Sequence, residues 1–296
     1  MLQEKENGIE VVGVLNEIDL REGTTQKGQE YIAGKITIKS NIKVHGIDKE
    51  VEIPFNVYAN KYTKNGGPNP SYDSIKNVKE NMISVASCGD PMKASYVRVY
   101  QSTGSLRENS FVDKSGKLVE TVRISSGFFN TVSRDKYEEK ASFNATIFIL
   151  AIDEEVDRDG APTGNLKIKG GIPGYNGTIN VIDFIVENKD AVDHISSYWS
   201  KADTVKIYGI IDYSTTVTKI QEDVGFGEPI EKTITKSERK LVITSGSPAA
   251  LDEEEAFDSG EISKAMVARK AEQDKKKEEA NKPAPKATTT ESKWGF

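Results

Sequence analysis

Cysteine and histidine are almost missing from this chain, with one Cys and two His among 296 residues. Cys88 alone can close no internal disulfide, and three such residues cannot complete a four-ligand zinc site. The expectation is a reducing cytoplasm (a host's cytoplasm, if a phage encodes the chain), with no metal and no cofactor. Long apolar runs are missing as well. The longest, 145–152, is interrupted by Thr146 and falls far short of the roughly 20 residues a membrane-spanning helix needs. The opening MLQEKENGIE has neither the basic nor the apolar region of a secretory leader. Positive charge is not in excess: residues 251–296 hold 9 Lys+Arg and 11 Asp+Glu, leaving 31 and 35 in residues 1–250. That balance counts mildly against a nucleic-acid binder. It does not exclude one, because such a protein needs a basic groove and not a basic total.

Catalytic patterns are also lacking. DEEVDRDG (153–160) has the look of a calcium loop, but Leu166 falls where a bidentate Glu is required, so a charged β-turn is the reading. KNGGPNP (64–70) lacks the Lys-Ser/Thr ending of a phosphate loop. His45 and His194 read as surface residues, each without a Cys or Ser at catalytic spacing. Cys88, after the strand-like MISVAS, reads as a small buried side chain. A non-enzymatic protein is expected.

What is present is alternation. EYIAGKITIKS (30–40) sets Ile32, Ile36 and Ile38 against Tyr31, Lys35, Thr37 and Lys39. EVEIPFNVY (50–58) and YVRVY (96–100) alternate in the same way, as half-buried antiparallel strands do. Within residues 1–247, short helices are expected only at 71–81 and 189–200.

The chain also repeats itself. VVGVLNEIDLREG (11–23) parallels TIFILAIDEEVDRDG (146–160), KITIKS parallels LKIKGG (166–171), VRVY (97–100) parallels VKIY (205–208), and VRISSG (122–127) parallels LVITSG (241–246). The offset drifts while the order is kept, so duplication is the reading. Each half gives three strands, a short helix and two strands, the order of an OB-type five-stranded barrel. The expected fold is therefore all-β: two tandem OB-like barrels at 8–138 and 141–247. A tail at 248–296 follows, with an acidic cluster around Phe257, a thin helix from Ser259 carrying Ile262, Ala265, Met266 and Arg269 on one side, and a flexible linker at 281–293.

If the apolar set fills the barrels, the other set is free to bind. It comprises Tyr31, Lys35, Lys39, Tyr58, Arg98, Tyr100 and Arg123 in the first half, and Lys167, Lys169, Lys206 and Tyr208 in the second. Lys61, Tyr62, Arg107 and Phe111 add loop positions. Cations can follow phosphates while rings stack on unpaired bases, which suits single-stranded nucleic acid. A lone Tyr or Lys on such a face is ordinary sheet surface; the Arg98/Tyr100 pair repeated as Lys206/Tyr208 favours binding. One of Phe128 and Phe129 belongs to the core. Tyr175 and Trp199 read as structural.

The chain ends in Trp294-Gly295-Phe296. A β-barrel body, a polar linker and an aromatic tip resemble the single-stranded DNA-binding proteins of bacteria and their phages, with a phage replication protein the better likeness. The resemblance implies sequence-nonspecific binding of single-stranded DNA in replication, recombination or repair. It also implies recruitment of replication and recombination proteins by Trp294, Gly295 and Phe296, with Phe296 and its carboxylate as the anchor. Gly295 stands where that family has Pro, and its run of aspartates before the tip is reduced to Glu291. A second reading stays open: a virion structural or assembly protein of tandem barrels, for which Arg98, Tyr100, Lys206 and Tyr208 would be covered.

Overall fold

The computed structural model describes residues 2–157, 159–222 and 230–280. The first half runs β1 (Asn7–Thr24), β2 (Glu30–Val44), β3 (Ile47–Asn60), α1 (Pro70–Asn81), a one-turn α2 (Val85–Cys88), β4 (Tyr96–Gln101), β5 (Leu106–Val112), β6 (Leu118–Ile124) and a two-residue β7 (Asn130–Thr131). The second half repeats the order as β8 (Lys140–Val156), β9 (Pro162–Pro173), β10 (Ile179–Val186), α3 (Lys189–Tyr198), β11 (Thr204–Asp212), β12 (Thr215–Glu222), β13 (Ile230–Ser237) and β14 (Lys240–Gly246). A last helix, α4 (Ser259–Ala280), follows. The protein is all-β, two OB-like barrels in tandem, and the repeated segments occupy equivalent strands.

Period-two burial makes the strands. On β3, Val51, Ile53, Phe55, Val57 and Ala59 are buried, while Glu52, Asn56 and Tyr58 face out. Both main helices begin on an asparagine. Asn69 accepts from the Ser71 N–H, with Pro70 pre-set for the first turn, and Asn188 accepts from the Ala191 N–H. α1 buries Tyr72, Ile75 and Val78 against the first barrel. One expectation fails here: MISVAS is no strand. Ser84 caps a single helical turn and Gly89, at φ 70, ends it, so Cys88 is half-buried at a helix end.

The two barrels close differently. In the second, β14 lies between β10 and β11: parallel to β10 at Ile185↔Val242, antiparallel to β11 from Ile207↔Gly246 to Asp212↔Lys240. β11 also pairs β8, so the ring is complete. In the first, β6 meets β3 at Phe55↔Ile124, but the described residues show no ladder between β4 and β6. The Ser125 N–H to Ser105 carbonyl bond at 2.9 Å only extends the β5–β6 ladder beyond Leu106↔Ile124. Neither half is the plain five-stranded unit expected, because each carries a hairpin before its last strand: β5–β6 running into it, and β12–β13 preceding it.

β1 and β8 pair antiparallel from Asn7↔Ala145 to Val12↔Lys140, joining the halves in one sheet with one continuous core. Lys49 meets the buried Asp212 at 2.6 Å across a second contact, beside the Glu52 N–H to Tyr213 carbonyl bond. The thin helix predicted in the tail is longer than its apolar stripe suggests, and it is docked. Ile262 and Ala265 join Leu2, Phe148, Ile179 and Phe257 in a small cluster. Arg269 reaches the half-buried Glu108 at 2.7 Å, and Gln273 bonds Glu120 at 2.6 Å. These contacts supply the partner such a helix requires.

Candidate nucleic-acid interface

The open closure of the first barrel leaves a cleft of about 500 Å³. Its floor is β3 at Asn56–Tyr58, and its walls are Gln101 at the end of β4, Thr103 and Gly104 after it, the β5–β6 stem, and 125–128. Cross-strand pairing sets Arg107 opposite Arg123 on that stem. Arg123 leans on β3, its guanidinium donating to the Asn56 carbonyl at 3.0 Å, with its Nε buried and unpartnered. Arg107 donates to the Gly104 carbonyl at 2.9 Å; Gly104, at φ 71, turns the chain back toward it. Among the described residues neither arginine lies within ion-pair distance of a carboxylate, and no acidic side chain lines the cleft. Two such guanidiniums side by side form a site for an anion, with the donors to grip phosphate oxygens.

Aromatic rings flank the same cleft. Tyr58 is 55% exposed and stacks on Tyr31 of β2, with centroids 5.4 Å apart and planes 23° apart. Phe128 is 45% exposed, whereas Phe129 is the core residue of the pair and meets Phe55 edge-on. Sequence alternation cannot separate these two neighbours; Phe129 turns inward where its N–H bonds Ser74 of α1. Phe128 is thus a candidate contact that the residue pattern leaves undecided. Gln101 and Asn56 also line the cleft without any sequence signal, because polar side chains on a strand look alike in the pattern.

Arg98, Tyr100, Lys206 and Tyr208 lie elsewhere, on a strip formed by β4, β1, β8 and β11 across the seam. There Tyr100 pairs with Glu10, Glu10 with Ser142, and Tyr208 with Asn144. Tyr100 and Tyr208 stay 57% and 43% exposed, so the other barrel does not cover them. The charges are compensated, however. Glu10 takes hydrogen bonds from Arg98 at 2.9 Å and Lys140 at 2.6 Å. Burial works against the Glu10 carboxylate, yet these two partners outweigh it and hold its pKa below the usual value. Arg98 lies 5.1 Å from the centre of the Tyr100 ring and 5.3 Å from that of Tyr137. Lys206 faces Glu255 of the acidic segment at 3.6 Å.

Four of the remaining lysines are also paired. Lys35 meets Glu17 at 2.8 Å, Lys39 meets Glu50 and Glu52 at 3.0 Å, Lys61 meets Glu30 at 2.9 Å and Lys167 meets Asp183 at 2.8 Å. Desolvation opposes the Lys39 ammonium, but its two carboxylates prevail and raise its pKa. A phosphate entering here must displace a carboxylate, so such pairs offer it less than Arg107 and Arg123 do. Lys169 is exposed beside Asp183 in the β9–β10 register. Tyr62 lies under Lys61 at 5.8 Å, and Phe111 is exposed near the far end of β5.

Trp199 is buried, as expected of a structural residue; Tyr175 is not, and its ring stands in solvent. Trp294, Gly295 and Phe296 lie outside the described residues, as does the 281–293 linker. The described residues hold no metal-ligating cluster and no helix long and apolar enough to cross a membrane.

A family model described as YorF matches residues 5–279. No curated protein matches the sequence. Two solved structures are similar in fold at 11% identity: the wild-type single-stranded DNA-binding protein of Thermus aquaticus and a deletion variant of it. Each match covers 86% of this chain and 97% of theirs, with a TM-score of 0.46.

Proposed function

The chain belongs to the YorF family, and on the geometry of its first barrel we propose that it binds single-stranded DNA without sequence preference. One observation carries the reading: a single cleft collects two arginines without carboxylate partners and two exposed rings, and excludes acidic side chains. Arg107 and Arg123 hold phosphates, and Tyr58 (backed by Tyr31) and Phe128 stack on bases. Stacking contributes about 1–3 kcal/mol per base and tolerates any base, because every base has a π-face. Nothing in the arrangement calls for bond-making chemistry, so the protein acts by binding. The exposed Tyr100 and Tyr208 strip, the paired lysines Lys35, Lys39, Lys61, Lys167 and Lys206, and the exposed Lys169 are secondary contacts in this reading, with Tyr62 and Phe111 at its margins. Two binding units near 8–138 and 141–247, and recruitment of replication or recombination proteins by Trp294, Gly295 and Phe296, belong to the same proposal.

The test is fluorescence anisotropy of a labelled oligo-dT at low and high salt. The wild type is expected to bind tightly and to lose affinity as salt rises, since binding to phosphates releases counterions. Replacing Arg107 and Arg123 together by Ala should weaken binding and reduce the salt slope by about 2, one unit for each phosphate that is no longer held. An unchanged slope in that variant, or no binding by the wild type, overturns the reading. In the second case a structural role becomes the better account.

A further inference from the structure

The first cleft does not end at Arg107. The same guanidinium also lines a second cleft of about 440 Å³ at the barrel junction, between the N-terminal segment at Leu2–Glu4 and the turn joining β9 to β10. Out of that turn projects Tyr175, 79% exposed and the most exposed aromatic side chain among the described residues. The turn is built to hold it there. Asn176 takes the left-handed conformation at φ 59, with Gly177 after it at φ 72. The Gly174 N–H bonds the Thr178 carbonyl at 2.8 Å, and the Thr178 hydroxyl bonds the Tyr175 carbonyl at 2.9 Å. A non-glycine residue held in that region costs free energy, and an aromatic ring kept in water forgoes burial. Both costs are spent on presenting a ring.

The charge around the cleft favours an anionic ligand. Its one carboxylate, Glu4, is occupied by the Asn7 amide at 2.6 Å and the Gly104 N–H at 3.0 Å. The cation facing the space is Arg107, which bridges the two clefts.

We propose that Tyr175 is a base-stacking platform, and that a bound strand leaves the first cleft over Arg107 and crosses the junction onto the second barrel. This rests on the single-strand reading above and deepens it. The second barrel then takes part in binding through its β9–β10 turn and not through its closed strands.

The experiment compares wild type with Tyr175→Ala and Tyr175→Phe on oligo-dT of about 6 and about 16 nucleotides, lengths near the two ends of the range that single OB barrels occupy. Tyr175→Ala should lose roughly 5- to 150-fold on the longer strand and nothing on the shorter, while Tyr175→Phe keeps both affinities. The position is exposed, so each variant should fold as wild type does, and circular dichroism checks it. Equal affinity of Tyr175→Ala and wild type on both strands overturns the crossing path. If Tyr58→Ala still weakens binding in that case, the single-strand reading survives. If wild type binds neither strand, both fall together.

Discussion

The two barrels share a strand order, yet the closing strand that borders a cleft in one is paired and covered in the other. In the repeat, Gly127 of VRISSG corresponds to Gly246 of LVITSG. At Gly246 an added Cβ would lie 2.8 Å from the Trp199 ring, which is 5% exposed and donates to the Ser247 carbonyl at 3.1 Å. β14 is there held by β11 along its length, and the indole from the end of α3 covers the join. At Gly127 an added Cβ would meet the Ser71 hydroxyl at 2.5 Å, and the next residue, Phe128, turns out to solvent. With no ladder between β4 and β6, the space between them becomes the cleft. The same closure point thus serves stability in one copy and access in the other.

The largest effect that would sharpen this contrast is on stability. Trp199→Ala removes a buried indole and its hydrogen bond, with an expected loss of about 3–5 kcal/mol in urea unfolding. Under native conditions the variant should still bind oligo-dT through the first barrel. Loss of binding in a folded Trp199→Ala protein would show that the second closure also supports the site.

A smaller effect separates the two tyrosine positions. Tyr58→Ala and Phe128→Ala should each cost about 1–3 kcal/mol in oligo-dT affinity with little change in stability. Tyr208→Ala should cost less than either, since the compensated charges of its strip hold a phosphate weakly and leave its ring a secondary contact. If Tyr208→Ala weakens binding as much as Tyr58→Ala, the strand runs along the seam and the cleft is not its main site.

Much of this architecture is legible in residue order. Alternation on β2, β3 and β4 marks their buried faces, and the repeat aligns strands because each half must bury the same apolar set. The hairpins before each last strand are not legible. On β5, RENSF alternates exposed and half-buried positions, but Glu108 and Ser110 on its half-buried face are polar, so its residue types show little period-two contrast. Among site residues, Tyr58, Arg107 and Arg123 can be picked out by type, but their convergence depends on a parallel contact at Phe55↔Ile124 that no local pattern encodes. The pairing of Lys35 with Glu17 or Lys39 with Glu50 is equally non-local, so a face rich in lysine looks more basic in sequence than in space. Tyr175 goes the other way: a GYNG turn reads as structural until its left-handed Asn176 is seen to hold the ring outward.

The smallest expected effect concerns the seam along which these unlike barrels are joined. Glu10 on β1 bridges Arg98 of β4 and Lys140 of β8, so it ties strands of both halves. Its folded pKa lies below the ordinary carboxylate value. Its contribution to stability is therefore complete above the unfolded-state pKa and is lost as pH falls through the folded one. Part-exposed pairs of this kind are worth up to about 1 kcal/mol. Chemical denaturation of wild type and Glu10→Gln at a series of pH values should show wild type ahead near neutrality and the difference closing under acid. A gap that persists at low pH would assign the effect to packing of the side chain, and the charge at the seam would then contribute nothing to holding the barrels together.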